Sequence, residues 1–277
     1  MSQYIQRSRP SDTTVGHVLR EWRERRRLSQ MNLALDAGIS TRHLSFVESG
    51  RSSPSRDLLT RLAETLAMPL RAQNRLMLSA GYAPIYADHD FDAAEMAHVR
   101  TTVEAVLEAQ MPFPALAVDS RWTLVRANQA TMDLLTGIDV EMLSPPLNVL
   151  RLSLHPQGLA SRIVNFAEWR HHLLDRLQVQ MTSSGDSVLV DLHKELASYP
   201  SPPPQKIEEE RSHPLLAVPL ELRVPDRDVV LRFISTTTMF STATSVTLSE
   251  LALECFYPAD ADTRAALLQQ EINGAPR

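Results

Sequence analysis

The 277-residue chain has a single cysteine, Cys255, so no internal disulfide framework holds it together and a reducing compartment suits it. No apolar run reaches the roughly 20 residues that span a bilayer, so no membrane partner is expected. The opening MSQYIQRSRPSDTT puts no apolar core behind its charges and does not read as a secretory signal. Motifs for several chemistries are also missing. There is no glycine-rich phosphate loop, no Gly-x-Ser-x-Gly turn and no His-Glu-x-x-His pair. His193-Lys194-Glu195 lacks the zinc spacing, and the neighbours His171 and His172 would project about 100° apart on a helix. Cys255, inside ECF, reads as a small core residue rather than a nucleophile. These absences argue against an enzyme, and no cofactor is expected beyond a bound apolar guest. No internal repeat is visible.

Lysine is nearly absent too, with only Lys194 and Lys206, yet the chain is not short of cations. Residues 1–80 carry 13 arginines against 7 acids, a balance of +6, and the remainder stands at −11 for a total of −5. Such a split suggests an N-terminal module that meets a polyanion and a C-terminal body that avoids one. The basic module owes its charge to arginine alone. Guanidinium forks onto phosphate and guanine edges, which favours nucleic acid over a generic basic surface.

The most informative stretch is LSQMNLALDAGISTRHLSFVESG (28–50). It spaces small and apolar residues as two short helices crossing at a tight turn require: Gln30, Leu33 and Ala34 on the first, Gly38 and Ile39 at the corner, Leu44 and Val47 on the second. Ala34 is small where the helices touch, and Gly38 can take the positive φ the corner needs. Thr41, Arg42, Ser45 and Phe46 are left for an outer surface. The pattern is a helix-turn-helix and points to DNA. Around it, 15–27 reads as a helix with Val15, Val18, Leu19 and Trp22 on one face. Ser29 and Ser40 are placed as N-caps, and Ser49-Gly50 ends the third helix. Residues 55–67 read as an amphipathic helix with Leu58, Leu59, Leu62 and Leu66 inward, and 70–80 as a fifth helix.

The length fits roughly two domains. The expected organisation is a flexible arm over 1–14, an all-α five-helix domain over 15–83, a linker over 84–92 and an α+β domain over 93–270. In the last, a helix from about 92 to 110 precedes a hairpin at 114–128 turning at Asp119-Ser120, and Asn128 starts a short helix to Leu135. Residues 147–197 are largely helical, 201–211 is a proline-rich loop expected to be mobile, and 215–224, 228–240 and 250–258 read as strands. The helical tail after Pro258 reads as short. A small antiparallel sheet covered by helices results.

At Gln30, Ala34, Gly38, Leu44, Val47 and Glu48 the first domain resembles the Cro/C1-type (XRE) helix-turn-helix family. The rest resembles the MmyB-like transcription regulators at PALAVDSRWTLVRAN (114–128), PPLNVLRLSLHP (145–156), VNFAEW (164–169), RFISTTTMFSTATSVTLSEL (232–251) and ECFYPAD (254–260). The first resemblance implies that Thr41, Arg42 and, one turn later, Phe46 face the major groove. Arg42 would fork onto guanine, and Thr41 or Phe46 would meet a thymine methyl. Gln30 would contact phosphate at a helix start. Ser40, His43, Ser45, Ser49, Arg51 and Arg56 complete the expected DNA-binding set. Arg23 and Glu48 are expected to pair internally, while the run Arg25, Arg26, Arg27 is either a solvated face or a phosphate contact.

The second resemblance implies a PAS-like fold that binds a small apolar molecule such as a fatty acid. Candidate ligand residues are Asn128, Asn148, Arg151, His155, Asn165, Trp169 and Arg170, polar or aromatic groups set among apolar stretches, with Arg151 the candidate carboxylate anchor. Each has a structural alternative: Asn128 and Asn165 as helix caps, Arg151 paired with an acid such as Glu168. The functional expectation is a cytoplasmic, bacterial, nucleoid-associated homodimer that reads a two-fold site on double-stranded DNA, most simply as a repressor, under control of an apolar ligand. The alternatives are a C-terminal domain that only dimerises, and an enzyme fused to the motif.

Overall fold

Hydroxyl side chains set where the N-terminal helices begin. Thr14, Ser29, Ser40 and Ser55 each accept a hydrogen bond from the backbone N–H three residues on, satisfying one of the donors that a helix start leaves bare. The helices that follow them are α1 (Val15–Arg25), α2 (Gln30–Asp36), α3 (Thr41–Glu48) and α4 (Arg56–Thr65), with α5 (Leu70–Ser79) entered from Pro69. The computed structural model describes residues 14–203, 217–225 and 229–274. The expected arm before Thr14 and most of the 201–211 loop lie outside them. The chain divides into two compact units between Ala87 and Asp88.

The first unit is all-α. Leu19, Leu33, Leu44, Leu59, Leu62 and Met77 are fully enclosed in its core. Gly38 turns the corner between α2 and α3 at φ +66, a conformation that costs a residue with a Cβ. Gly16 permits a closer approach still. A Cβ there would lie 2.3 Å from the carbonyl oxygen of Glu48 and 2.7 Å from that of Val47, so the α1 backbone rests directly on the end of α3. After α5 the chain is fastened back by Asn74, which accepts from the N–H groups of Ile85 and Tyr86 and donates to the Tyr86 carbonyl.

The second unit opens with a 3-10 turn (Ala94–Met96) and α6 (Ala97–Glu108), then the hairpin of β1 (Ala115–Val118) and β2 (Leu124–Ala127). Helices α7 (Gln129–Leu134), α8 (Val140–Leu143) and α9 (Val149–Leu154) follow. A second 3-10 turn (Ala160–Arg162) leads to α10 (Phe166–Ser184) and α11 (Ser187–Ser198). β3 (Leu220–Arg223), β4 (Val230–Met239), α12 (Val246–Ser249), β5 (Ala252–Pro258) and α13 (Ala261–Gly274) complete it. The five strands form one antiparallel sheet in the order β2-β1-β5-β4-β3. Alternation along the strands splits the core in two. Leu116, Leu220, Leu222, Leu231 and Phe233 face a cluster with α9, α10 and α11. Ala115, Ala117, Leu253 and Cys255 face Val103 and Leu107 of α6.

Three expected boundaries shift. Of the strand expected over 215–224, residues 215–216 lie outside the described residues, and the ladder runs from Leu220, after Pro219, which has no N–H to give it. The helix expected from about 92 begins with the 3-10 turn at Ala94. The tail is not short: α13 runs for 14 residues, starting where Asp260 accepts from the Thr263 N–H, and neither Gly nor Pro interrupts it before Gly274.

Candidate functional site

In the first unit, the side chain that fixes α3 against its neighbours is Glu48, which has no exposed side-chain surface. Its Oε1 accepts from Arg23 Nε at 2.7 Å. Its Oε2 accepts from Arg23 Nη2 at 3.0 Å and from Gln30 Nε2 at 2.8 Å. Burial alone would raise the carboxyl pKa. The hydrogen bonds from Arg23 and Gln30 and the nearby guanidinium charges outweigh that and hold it below the ordinary carboxylate value. The Arg23 pKa is raised in turn, chiefly by its hydrogen bond to Glu48. One carboxylate thus joins α1, α2 and α3, and it orients the Gln30 amide at the start of α2.

That arrangement leaves the start of α3 open. Thr41, Arg42 and His43 are exposed, and Ser45 and Phe46 are half-buried. The Arg42 guanidinium lies 5.3 Å from the centre of the Phe46 ring and that of Arg51 lies 5.9 Å from it, so one aromatic face steadies two cations. Ser40 is occupied as the α3 cap, and the Ser49 hydroxyl donates to the Phe46 carbonyl. Arg56 is exposed at the first turn of α4. Two arginines of the 25–27 run have internal work. Arg26 donates to the carbonyls of Leu66 and Ala67, both at 2.8 Å, and Arg25 pairs with Glu21. Both stack on Trp22, at 5.3 and 5.4 Å.

In the second unit, a cavity of about 110 Å³, partly open to solvent, lies between the sheet and helices α7, α9 and α10. Its walls are almost wholly apolar, with Leu116, Trp122, Leu150, Trp169, Leu173 and Phe256 prominent. The polar corner comes from Arg176 on α10 and Glu254 on β5. Arg176 Nη1 donates to Glu254 Oε2 at 3.1 Å, and its Nη2 reaches both Glu254 Oε1 and the Thr237 hydroxyl. Thr237 donates onward to Glu254 Oε1 at 2.9 Å. The guanidinium lies 4.6 Å from the centre of the Trp122 ring. Trp122 itself sits at φ +65 at the tip of the β1–β2 hairpin, with its indole N–H on Gln180.

Of the seven ligand candidates, only Trp169 lines this cavity, its indole N–H on Ser153. Asn128 caps α7 and spends both amide N–H groups on the carbonyls of Leu107 and Phe113. Asn148 caps α9 and donates to the Arg121 carbonyl. Asn165 does not cap its helix through its side chain. It ties the start of α10 to β3, accepting from Glu221 N–H and donating to the Pro219 carbonyl. Arg151 pairs bidentately, not with Glu168 but with Glu195 of α11, at 2.7 and 2.8 Å, because α9 turns Leu150, Leu152 and Ser153 inward and Arg151 away. Glu195 also accepts from the Tyr199 hydroxyl, whose pKa burial and that bond push up to about 12. His155 packs edge-on to Tyr199, and Arg170 donates to Ser201 and the Ala197 carbonyl. Sequence reading passed over Arg176, Glu254 and Trp122. The available signal was Glu254, the one acid between Leu251 and Pro258 in an apolar strand, which calls for a buried cation beside it.

Residues 99–269 match the family model of the MmyB-like transcription regulator ligand binding domain, and residues 14–76 match that of a helix-turn-helix domain. No curated protein matches the chain. Two crystal structures of the clp gene regulator ClgR from Corynebacterium glutamicum are similar to part of it. The first is 23% identical over 27% of this chain and 92% of that one; the second is 22% identical over 36% and 94%. Both have a TM-score of 0.22.

Proposed function

The chain belongs to the MmyB-like transcription regulators, and from that premise we propose that it is a cytoplasmic, nucleoid-associated homodimeric repressor whose operator binding is set by an aliphatic ligand, such as a fatty acid, in the second unit. The observation that carries the DNA half is the open start of α3, with Arg42 steadied on Phe46 above a buried Glu48 network. The interface of this reading follows the Cro/C1 (XRE) pattern. Thr41, Arg42 and Phe46 read bases, while Gln30, Arg51 and Arg56 meet phosphate, and His43, Ser45 and Ser49 lie beside them. Two copies are needed because one small module makes few base contacts, and half-sites a helical turn apart are the usual remedy.

The observation that favours a ligand over a bare dimerisation domain is the apolar cavity with one polar corner, the form small-molecule sites take. In this reading Trp169 and Trp122 form walls, and Arg176 takes the polar position expected of Arg151. Selection of DNA from a random pool tests the base-reading roles. Arg42→Ala should relax base preference, costing about 1–3 kcal/mol of discrimination, whereas Gln30→Ala should weaken all sites alike. Identical profiles from the two would contradict the assignment. Native mass spectrometry of the purified protein separates ligand from clamp: a co-purifying aliphatic molecule supports sensing, and a protein indifferent to every aliphatic probe supports dimerisation alone.

A further inference from the structure

We propose that the cavity of the second unit takes an aliphatic acid with a second oxygen, a hydroxyl or keto group, far along its chain, and that the Ser153 hydroxyl reads that second oxygen. The inference rests on the reading of that cavity as a ligand site and names the class of ligand it takes. The lining has polar groups ready for a guest at two places. One is the corner where Arg176 meets Glu254 and Thr237. The other is Ser153 on α9, whose oxygen accepts from the Trp169 indole N–H at 3.0 Å. Trp169 and Arg176 stand seven residues apart on α10, about 10 Å along its axis. Leu173, one turn from each, makes the wall between them apolar.

Donors remain unspent at both places. At the corner, Arg176 Nη1 and Nη2 are engaged, but its Nε–H has no hydrogen bond among the described residues. Nor has the hydroxyl of Ser235, which lines the cavity from the same face of β4 as Thr237. These groups suit the acid, since a carboxylate takes charge-assisted bonds from a guanidinium. At the far place, the bond from Trp169 uses a lone pair of Ser153 and fixes where the oxygen sits. Its O–H is left to donate, and no acceptor meets it among the described residues. Thr131, the remaining hydroxyl of the lining, already donates to the Ala115 carbonyl. A plain hydrocarbon chain laid past Ser153 displaces the water that would otherwise hold its O–H, and a donor left bare in that way costs affinity. A chain with an oxygen at that point restores the bond.

Calorimetric titration of the full-length protein with octanoate, 3-hydroxyoctanoate and 8-hydroxyoctanoate tests this. In the 8-hydroxy acid the two oxygen functions lie far enough apart to meet both places, and in the 3-hydroxy isomer they do not. The 8-hydroxy acid should bind about tenfold more tightly than octanoate, and the 3-hydroxy isomer no more tightly than octanoate. Ser153→Ala should remove that gain and leave octanoate affinity nearly unchanged. Should that variant fail to fold by circular dichroism, Ser153→Cys, whose thiol donates only weakly, replaces it and should show the same loss. Octanoate binding as tightly as the 8-hydroxy acid, an equal gain for the 3-hydroxy isomer, or a gain unmoved in the folded variant would overturn the proposal while the cavity stood as a ligand site. Binding of none of the three probes would overturn both.

Discussion

At the scale of single residues, two buried carboxylates do unlike work. Glu48 holds three helices together through Arg23 and Gln30, and its folded pKa lies below the ordinary 4.5. A carboxyl whose pKa is lowered by folding stabilises the fold above its unfolded value, and that contribution is lost as pH falls through the folded value. Acid should therefore weaken the protein in the range below about 4.5, and Glu48→Gln should flatten that limb of a stability-against-pH curve. Glu48→Ala should cost about 3–5 kcal/mol, since it strands Arg23, which is only 11% exposed. Denaturant melts followed by circular dichroism read both, and a pH profile identical to that of the unaltered protein would contradict the role. Glu254 has the opposite setting. It sits at the edge of a cavity rather than in a helix junction, and its partner Arg176 keeps one face toward that space.

At the scale of elements, α1 rests on α3 backbone to backbone at Gly16. Gly16→Ala should destabilise the first unit by about 1–3 kcal/mol or more, because the new methyl meets backbone rather than a side chain that can move. No loss, or the gain of up to about 1 kcal/mol that helix propensity alone predicts, would show that α1 shifts freely. This level is also where the sequence was most legible. Serine caps, a corner glycine and leucines at helical spacing are local signals, and the helix-turn-helix follows them closely, down to the Arg23–Glu48 pair. The second unit was legible as strands and helices but not as a site. Which way α9 presents Arg151 depends on what packs against it, and the meeting of Arg176 with Glu254 joins residues 78 apart in sequence. The three asparagines inside apolar stretches serve as caps and stitches for buried backbone, a demand as strong as any ligand's. Trp122 in the left-handed region has no local signal at all.

At the scale of the whole molecule, charge and chemistry are divided between the units. Residues 1–80 carry +6 through arginine alone and the remainder −11, so counterion release should dominate DNA affinity. Affinity measured across a salt series should fall steeply and linearly on logarithmic axes. A flat series would remove the electrostatic basis of the interface. The other division is between the helix-turn-helix unit and the unit that holds an apolar cavity, and in the proposed function the second governs the first. Such coupling is bounded by the difference in ligand affinity between DNA-competent and incompetent forms, typically about 5–150-fold.

The most direct test is fluorescence anisotropy of a labelled selected operator with the full-length protein, with and without saturating 1-decanol, beside a Leu173→Trp variant whose cavity is filled. The account predicts that the alcohol changes operator affinity by about 5-fold or more in the unaltered protein and not in the variant. Equal operator affinity with and without the alcohol, when calorimetry shows the cavity occupied, would contradict it.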